Sequence, residues 1–129
     1  MDRATERDVL DVLERFCSGF ADHDASTVMR LVADDPDLVV VTSEEPLLRG
    51  PEELRRFLDR YVGGSTTYSW DWARRDVSIA DPFAWLLAEG TETVTSGDHV
   101  EHHPYRMTIV VERREHRWVV RMAHGSSPS

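Results

Sequence analysis

The chain has 129 residues, of which 40% are hydrophobic and 30% charged, and its 24 acidic and 15 basic side chains leave a formal charge of -9. That length fits one domain able to bury its own core, and the composition excludes a disordered or collagen-like chain. A negative field of this size repels phosphate backbones and anionic lipid, so nucleic acid and membranes are not expected partners.

Val9, Val12, Leu13, Phe16 and Phe20 recur at helical spacing and predict a first helix over residues 3–21. Cys17, the only cysteine, lies in that stripe and reads as a small core residue. Asp24 can cap a second helix through Val28, Met29, Leu31 and Val32. Asp34-Asp35-Pro36 stops it, because the residue before proline resists α geometry. The run from Asp37 to Thr42 predicts a strand and Leu47-Leu48-Arg49 a short return strand.

Gly50-Pro51-Glu52-Glu53 opens a third helix, with proline in its first turn and acids at the positive end of its dipole. Leu54, Phe57, Leu58 and Tyr61 form the apolar stripe of this helix, and Gly63-Gly64 ends it. Four strands follow near 66–79, 83–95, 99–112 and 117–124, separated by short turns that imply an antiparallel meander. Helices first and strands later make an α+β domain, spanning 1–125 with a loose tail at 126–129. No apolar run could span a membrane. The polar segment Met1–Arg7 carries no secretory signal, which makes the cytoplasm the expected address.

Side chains alternate faces along a strand. With Ser96-Gly97 as a two-residue turn, Leu87 pairs with Arg106 and Thr91 with His102, and paired residues share a face. One face then carries Trp85, Leu87, Glu89, Thr91, His102, Arg106 and Thr108. The other carries Ala84, Leu86, Ala88, Tyr105, Met107, Ile109 and Val111. Alternation alone does not say which face meets the helices, and a bulge at Pro104 would shift the register by one. His99 and His103 oppose His102 along the strand, so no metal site is expected. The chain also has no glycine-rich phosphate cradle, nucleophile elbow or C-x-x-C pair, and no cofactor is expected.

The segments FADHDASTVMRLVADDPDLVVV, LLRGPEELRRFL and YRMTIVVERREHRWVVRMAHGS, in this order, resemble the SnoaL-like domains of the nuclear transport factor 2-like superfamily. They are most similar to the branch related to the calcium/calmodulin-dependent kinase association domain. The resemblance covers nearly the whole chain. It implies a cone-shaped, cystatin-like roll: three N-terminal helices on a curved antiparallel sheet, an internal pocket, and a homodimer through an apolar outer sheet face.

The resemblance also places Trp118, Val120, Met122 and His124 inside. On that reading the mixed face lines the pocket, with Glu89 and Arg106 as diagonal neighbours. Glu89, Arg106 and His124 are then the catalytic candidates. Trp70, Trp72, Trp85, His102, Thr108, Trp118 and Met122 are the substrate contacts. Arg106 would either form a structural ion pair with Glu89 or grip a carboxylate or carbonyl. His124 would be an acid-base group or would satisfy nearby backbone.

The known catalytic constellations of the superfamily are incomplete here. The first helix has no tyrosine, Leu38–Thr42 has no carboxylate, and Arg106 lacks two flanking aspartates. Two functions stay open. One is a small-molecule pocket performing cofactor-independent isomerisation, cyclisation or dehydration of a carbonyl-containing metabolite. The other is a non-catalytic ligand-binding or oligomerisation module.

Overall fold

The computed structural model describes residues 3–42 and 47–128. Helix α1 (Arg3–Ala21) buries the stripe of Val9, Val12, Leu13, Phe16 and Phe20. Past its end, His23 takes a left-handed conformation, held by a 2.8 Å hydrogen bond between its Nε2 and Thr67 Oγ1 and by stacking on Tyr61. Helix α2 (Ala25–Leu31) starts under Asp24, whose Oδ1 accepts the Thr27 N–H at 3.1 Å. Two short strands follow, β1 (Val39–Val41) and β2 (Leu48–Arg49), and then helix α3 (Gly50–Val62). The long strands are β3 (Thr66–Ala80), β4 (Phe83–Ser96), β5 (His99–Arg114) and β6 (Arg117–Ser126). No helix among the described residues is long and apolar enough to cross a membrane.

The sheet runs β2-β1-β6-β5-β4-β3, with β1 parallel to β6 through Val39–Met122, Val40–Ala123 and Val41–His124. The curved sheet is therefore mixed rather than antiparallel, and α3 comes after its first two strands rather than with the other helices. Turn signals report only strands that are neighbours in sequence. A parallel partner needs a long crossover, here everything between Val41 and Arg117.

The β4–β5 turn is Gly97-Asp98, with Gly97 at φ 61 as the first central residue. The register is thus two residues away from the expected one. A two-residue shift preserves the faces but sets Glu89 directly opposite Arg106. Pro104 pairs in register with Thr91. The bulges lie elsewhere, at Ala73 of β3 and Arg121 of β6. The segment expected as a loose tail starts at Ser126, which the sheet holds. Ser126 belongs to β6 and the Ser127 hydroxyl donates to the Pro104 carbonyl at 2.9 Å, whereas Ser129 lies outside the described residues.

Ala84, Leu86, Ala88, Tyr105, Met107, Ile109 and Val111 are all buried. The apolar face, not the mixed one, therefore meets the helices, and it is not the outer face through which a homodimer was expected to form. Three amphipathic helices require an apolar counter-surface, and at roughly 25 cal/mol per Å² buried no ion pair on the mixed face competes with it.

The bulged Arg121 ties β5 to the segment leading into β1. It donates to Glu112 Oε1 at 2.7 Å and to Asp37 Oδ2 at 2.8 Å, while Arg114 bonds Glu112 and Asp35. The hydrogen bond from Arg114 holds the Asp35 carboxyl below its ordinary range. Those from Arg121 and Arg114 do the same for Glu112.

Candidate functional site

A partly open cup of about 60 Å³ lies between α1, α3 and the inner sheet face. Its rings come from Phe16 and Phe20 of α1, Phe57 of α3, Tyr68 and Trp70 of β3, and Tyr105 of β5. Phe20 meets Trp70 edge-on at 5.9 Å and 88°, and Tyr105 leans on Trp70 at 6.1 Å and 44°. Crossed planes of this kind build walls rather than a flat stack.

Two glycines make the cup possible. A Cβ on Gly125 would collide with the Tyr105 hydroxyl, so this position lets the Tyr105 ring lie over β6. A Cβ on Gly90 would collide with the Asp71 carbonyl, where the Ala73 bulge brings the β3 backbone close.

Glu92 stands in this apolar wall. It is 3% exposed, the one buried charged residue among those described, and its Oε2 accepts the Trp70 indole N–H at 3.0 Å. Beside the cup, the Tyr61 hydroxyl donates to the Phe20 carbonyl and accepts the Tyr68 N–H, both at 2.8 Å. Burial raises the Tyr61 phenol above its ordinary value, and the charge of Glu92 adds to that rise. Tyr61 therefore stays protonated and serves as a brace. Burial likewise pushes the Cys17 thiol up to about 12, which leaves it without thiolate at neutral pH.

The structure separates the residues singled out from the sequence. Trp70 lines the cup, and Trp72 stacks behind it at 6.4 Å and 3°. Trp118 is buried but borders a different groove with Asp8, Asp11 and His116. Trp85, Glu89, His102, Arg106, Thr108, Met122 and His124 occupy the outer face instead of the pocket. Arg106 Nε and Glu89 Oε2 do pair, at 3.3 Å, with side chains 57% and 40% exposed. His102 bonds Thr93 on the surface, Thr108 lies between Leu87 and His124, and Met122 between Val39 and Val110.

The Arg121 bulge explains Met122 and His124. Strict alternation from Trp118 and Val120 would turn both inward, but the extra residue restarts the phase, so Ala123 and Gly125 face the cup. Glu92 was overlooked although alternation exposes it, because it follows Ala84, Leu86, Ala88 and Gly90 at every second position. A charge on the apolar face was the signal.

Three helices on a curved mixed sheet with an aromatic cup define a nuclear transport factor 2-like, cystatin-like α+β domain. The SnoaL-like domain family matches residues 9–129, and the chain belongs to it. No curated relative matches the sequence. Among solved structures, one from Streptomyces avermitilis, provisionally named a dehydratase of the nuclear transport factor 2-like family, superposes with a TM-score of 0.88 at 16% identity, covering 99% of both chains. A nuclear transport factor 2-like protein from Salmonella enterica gives 0.86 at 14% identity, covering 98% of this chain and 92% of its own. A Xanthomonas campestris protein, provisionally named a calcium/calmodulin-dependent kinase II association domain, gives 0.78 at 20%, covering 95% and 86%. At these identities the likeness is one of fold.

Proposed function

We propose that the cup binds a small molecule and that Glu92 anchors it or exchanges a proton with it. One observation carries this reading: a carboxylate 3% exposed in a wall of rings and aliphatic groups, fixed by the Trp70 indole. Sequestered carboxyl groups serve as proton donors and acceptors in isomerisation, cyclisation and dehydration. The dehydratase name of the Streptomyces avermitilis structure is in keeping with that class.

The test is a thermal-shift screen of small metabolites on the intact chain. Hits should raise the wild-type melting temperature, and Glu92→Gln should abolish the rise while leaving the unliganded melting temperature within about 5 °C. His124→Ala and Arg106→Ala should keep the rise. Hits that survive Glu92→Gln, or vanish with either outer variant, would overturn the cup in favour of Glu89, Arg106 and His124. Conversion of a hit, followed by chromatography, separates a catalyst from a binding module.

A homodimer through the mixed outer face, in place of the apolar face expected from the sequence, is a second proposal, with its own support. Phe83, Trp85 and Leu87 sit at alternate positions of β4 with 39%, 45% and 39% exposure, and Val110 and Met122 extend the stripe across the sheet. The neighbouring Glu89–Arg106 pair carries both signs, so a two-fold copy meets it with complementary charge. Sedimentation should give a dimer that Trp85→Lys converts to monomer; a monomeric wild type refutes it.

A further inference from the structure

We infer that the cup selects a small organic cation, an amine or quaternary ammonium head group, and that it disfavours the carboxylate or carbonyl ligand expected from the sequence. This rests on the reading of the cup as a small-molecule site and names its ligand class. The sign of the lining comes first. Among the described residues around the cup there is one acidic side chain, Glu92, and no lysine, arginine or histidine. The guanidinium that would grip an anion, Arg106, lies on the opposite face of the sheet.

The rings come second. Phe20, Trp70 and Tyr105 stand about the same space with planes crossed at 88° and 44°, and Tyr68 and Phe57 complete the enclosure. An electron-rich ring face attracts a cation and is indifferent to a neutral group of equal shape, and this preference grows when water is excluded. The Trp70 N–H donates to the Glu92 carboxylate, which pushes electron density into the indole that forms one wall.

Size comes third. A cavity of about 60 Å³ is less than half of the roughly 150 Å³ that admits benzene. It takes only part of a small head group, the remainder lying in the open mouth, and it is too small for a fused ring system. The net charge of -9 also favours the approach of cations over anions.

The decisive experiment is calorimetric titration of the full chain with three molecules of nearly one shape: choline, the neutral alcohol in which a tert-butyl group replaces the trimethylammonium, and tert-butylacetate, the carboxylate anion of 3,3-dimethylbutanoic acid. The Trp70 indole N–H resonance, assigned with Trp70→Phe, reports whether binding occurs in the cup. Choline should bind at least ten-fold tighter than the neutral alcohol, tert-butylacetate should not bind, and the Trp70 signal should move. Glu92→Gln should cut choline affinity at least ten-fold and remove the advantage of choline over the alcohol. Tyr105→Leu, which removes a ring without altering charge, should weaken choline more than the alcohol.

Equal affinity for choline and the alcohol, or a preference for the anion, overturns the cation assignment and leaves the small-molecule reading standing. The same holds if none of the three binds while the metabolite screen yields hits dependent on Glu92. If neither experiment yields a ligand, both readings fall together.

Discussion

The two faces of β4 invert what residue type alone would suggest. Its inner face carries Ala84, Leu86, Ala88 and the carboxylate of Glu92, all 3% exposed or less, whereas its outer face shows Phe83, Trp85 and Leu87 to solvent at 39% or more. The largest apolar side chains of the strand are thus outside and its only buried charge is inside. Small residues are placed where helices must approach closely. The bulky ones remain where a partner surface can use them.

Mutating matched positions tests this contrast, and the largest effect belongs to the inner side. Phe16→Ala should cost about 3–5 kcal/mol in urea denaturation, the usual penalty for emptying a packed aromatic site. In the monomeric state, Trp85→Ala should stay within about 0.5 kcal/mol. A comparable loss at Trp85 would mean that the outer face is buried in an assembly.

Gly90→Ala should be next, at about 1–3 kcal/mol by thermal melting, because its methyl group has backbone rather than a flexible side chain in its way. A neutral result would show that the Ala73 bulge yields at little cost.

The network of Arg114 and Arg121 gives a smaller, pH-dependent effect. Asp35 and Glu112 are held below their ordinary values of 3.8 and 4.5 by hydrogen bonds from Arg114 and Arg121. A lowered folded-state value means that the unfolded chain takes up protons first. The stabilisation is therefore complete above the ordinary values and lost as pH falls through the lowered ones. The stability gap between wild type and Arg114→Met should be full near about pH 6 and should shrink steadily below about pH 4. A gap that is constant with pH would assign Arg114 a packing role only.

The smallest effect should be at Glu89→Gln, below about 0.5 kcal/mol, since the Arg106 pair is exposed on both sides and screened by water. A larger loss that disappears on dilution would place that pair inside a dimer.

Local features of the fold were legible in the sequence. The helix spanning residues 3–21, the Asp24 cap, the Gly50-Pro51 start of α3 and the limits of the four long strands follow from periodicity and turn chemistry, which act over a few residues. The sorting of β4 and β5 into two faces was also legible, because a two-residue register shift leaves alternation intact. Features that depend on distant partners were not. The parallel pairing of Val39–Val41 with Met122–His124 leaves no local mark, and neither does the Arg121 bulge, whose acidic partners lie at positions 35, 37 and 112. Glu92 was within reach, since only the choice of the polar face as the pocket hid it.

Arg121 occupies no rung of the β-ladder, and that makes its position unlike its neighbours. Losing this one codon would leave Val120, Ala123 and Gly125 facing as they do now and would sacrifice only the electrostatic clamp between β5 and the segment before β1. Losing Met122 would let Arg121 take its outward rung with the same inward facing, whereas losing Val119 would turn Val120 outward and Arg121 inward. Changes of length in the closing strand are therefore tolerated at this bulge, and a relative one residue shorter there would keep the same lining of the hollow.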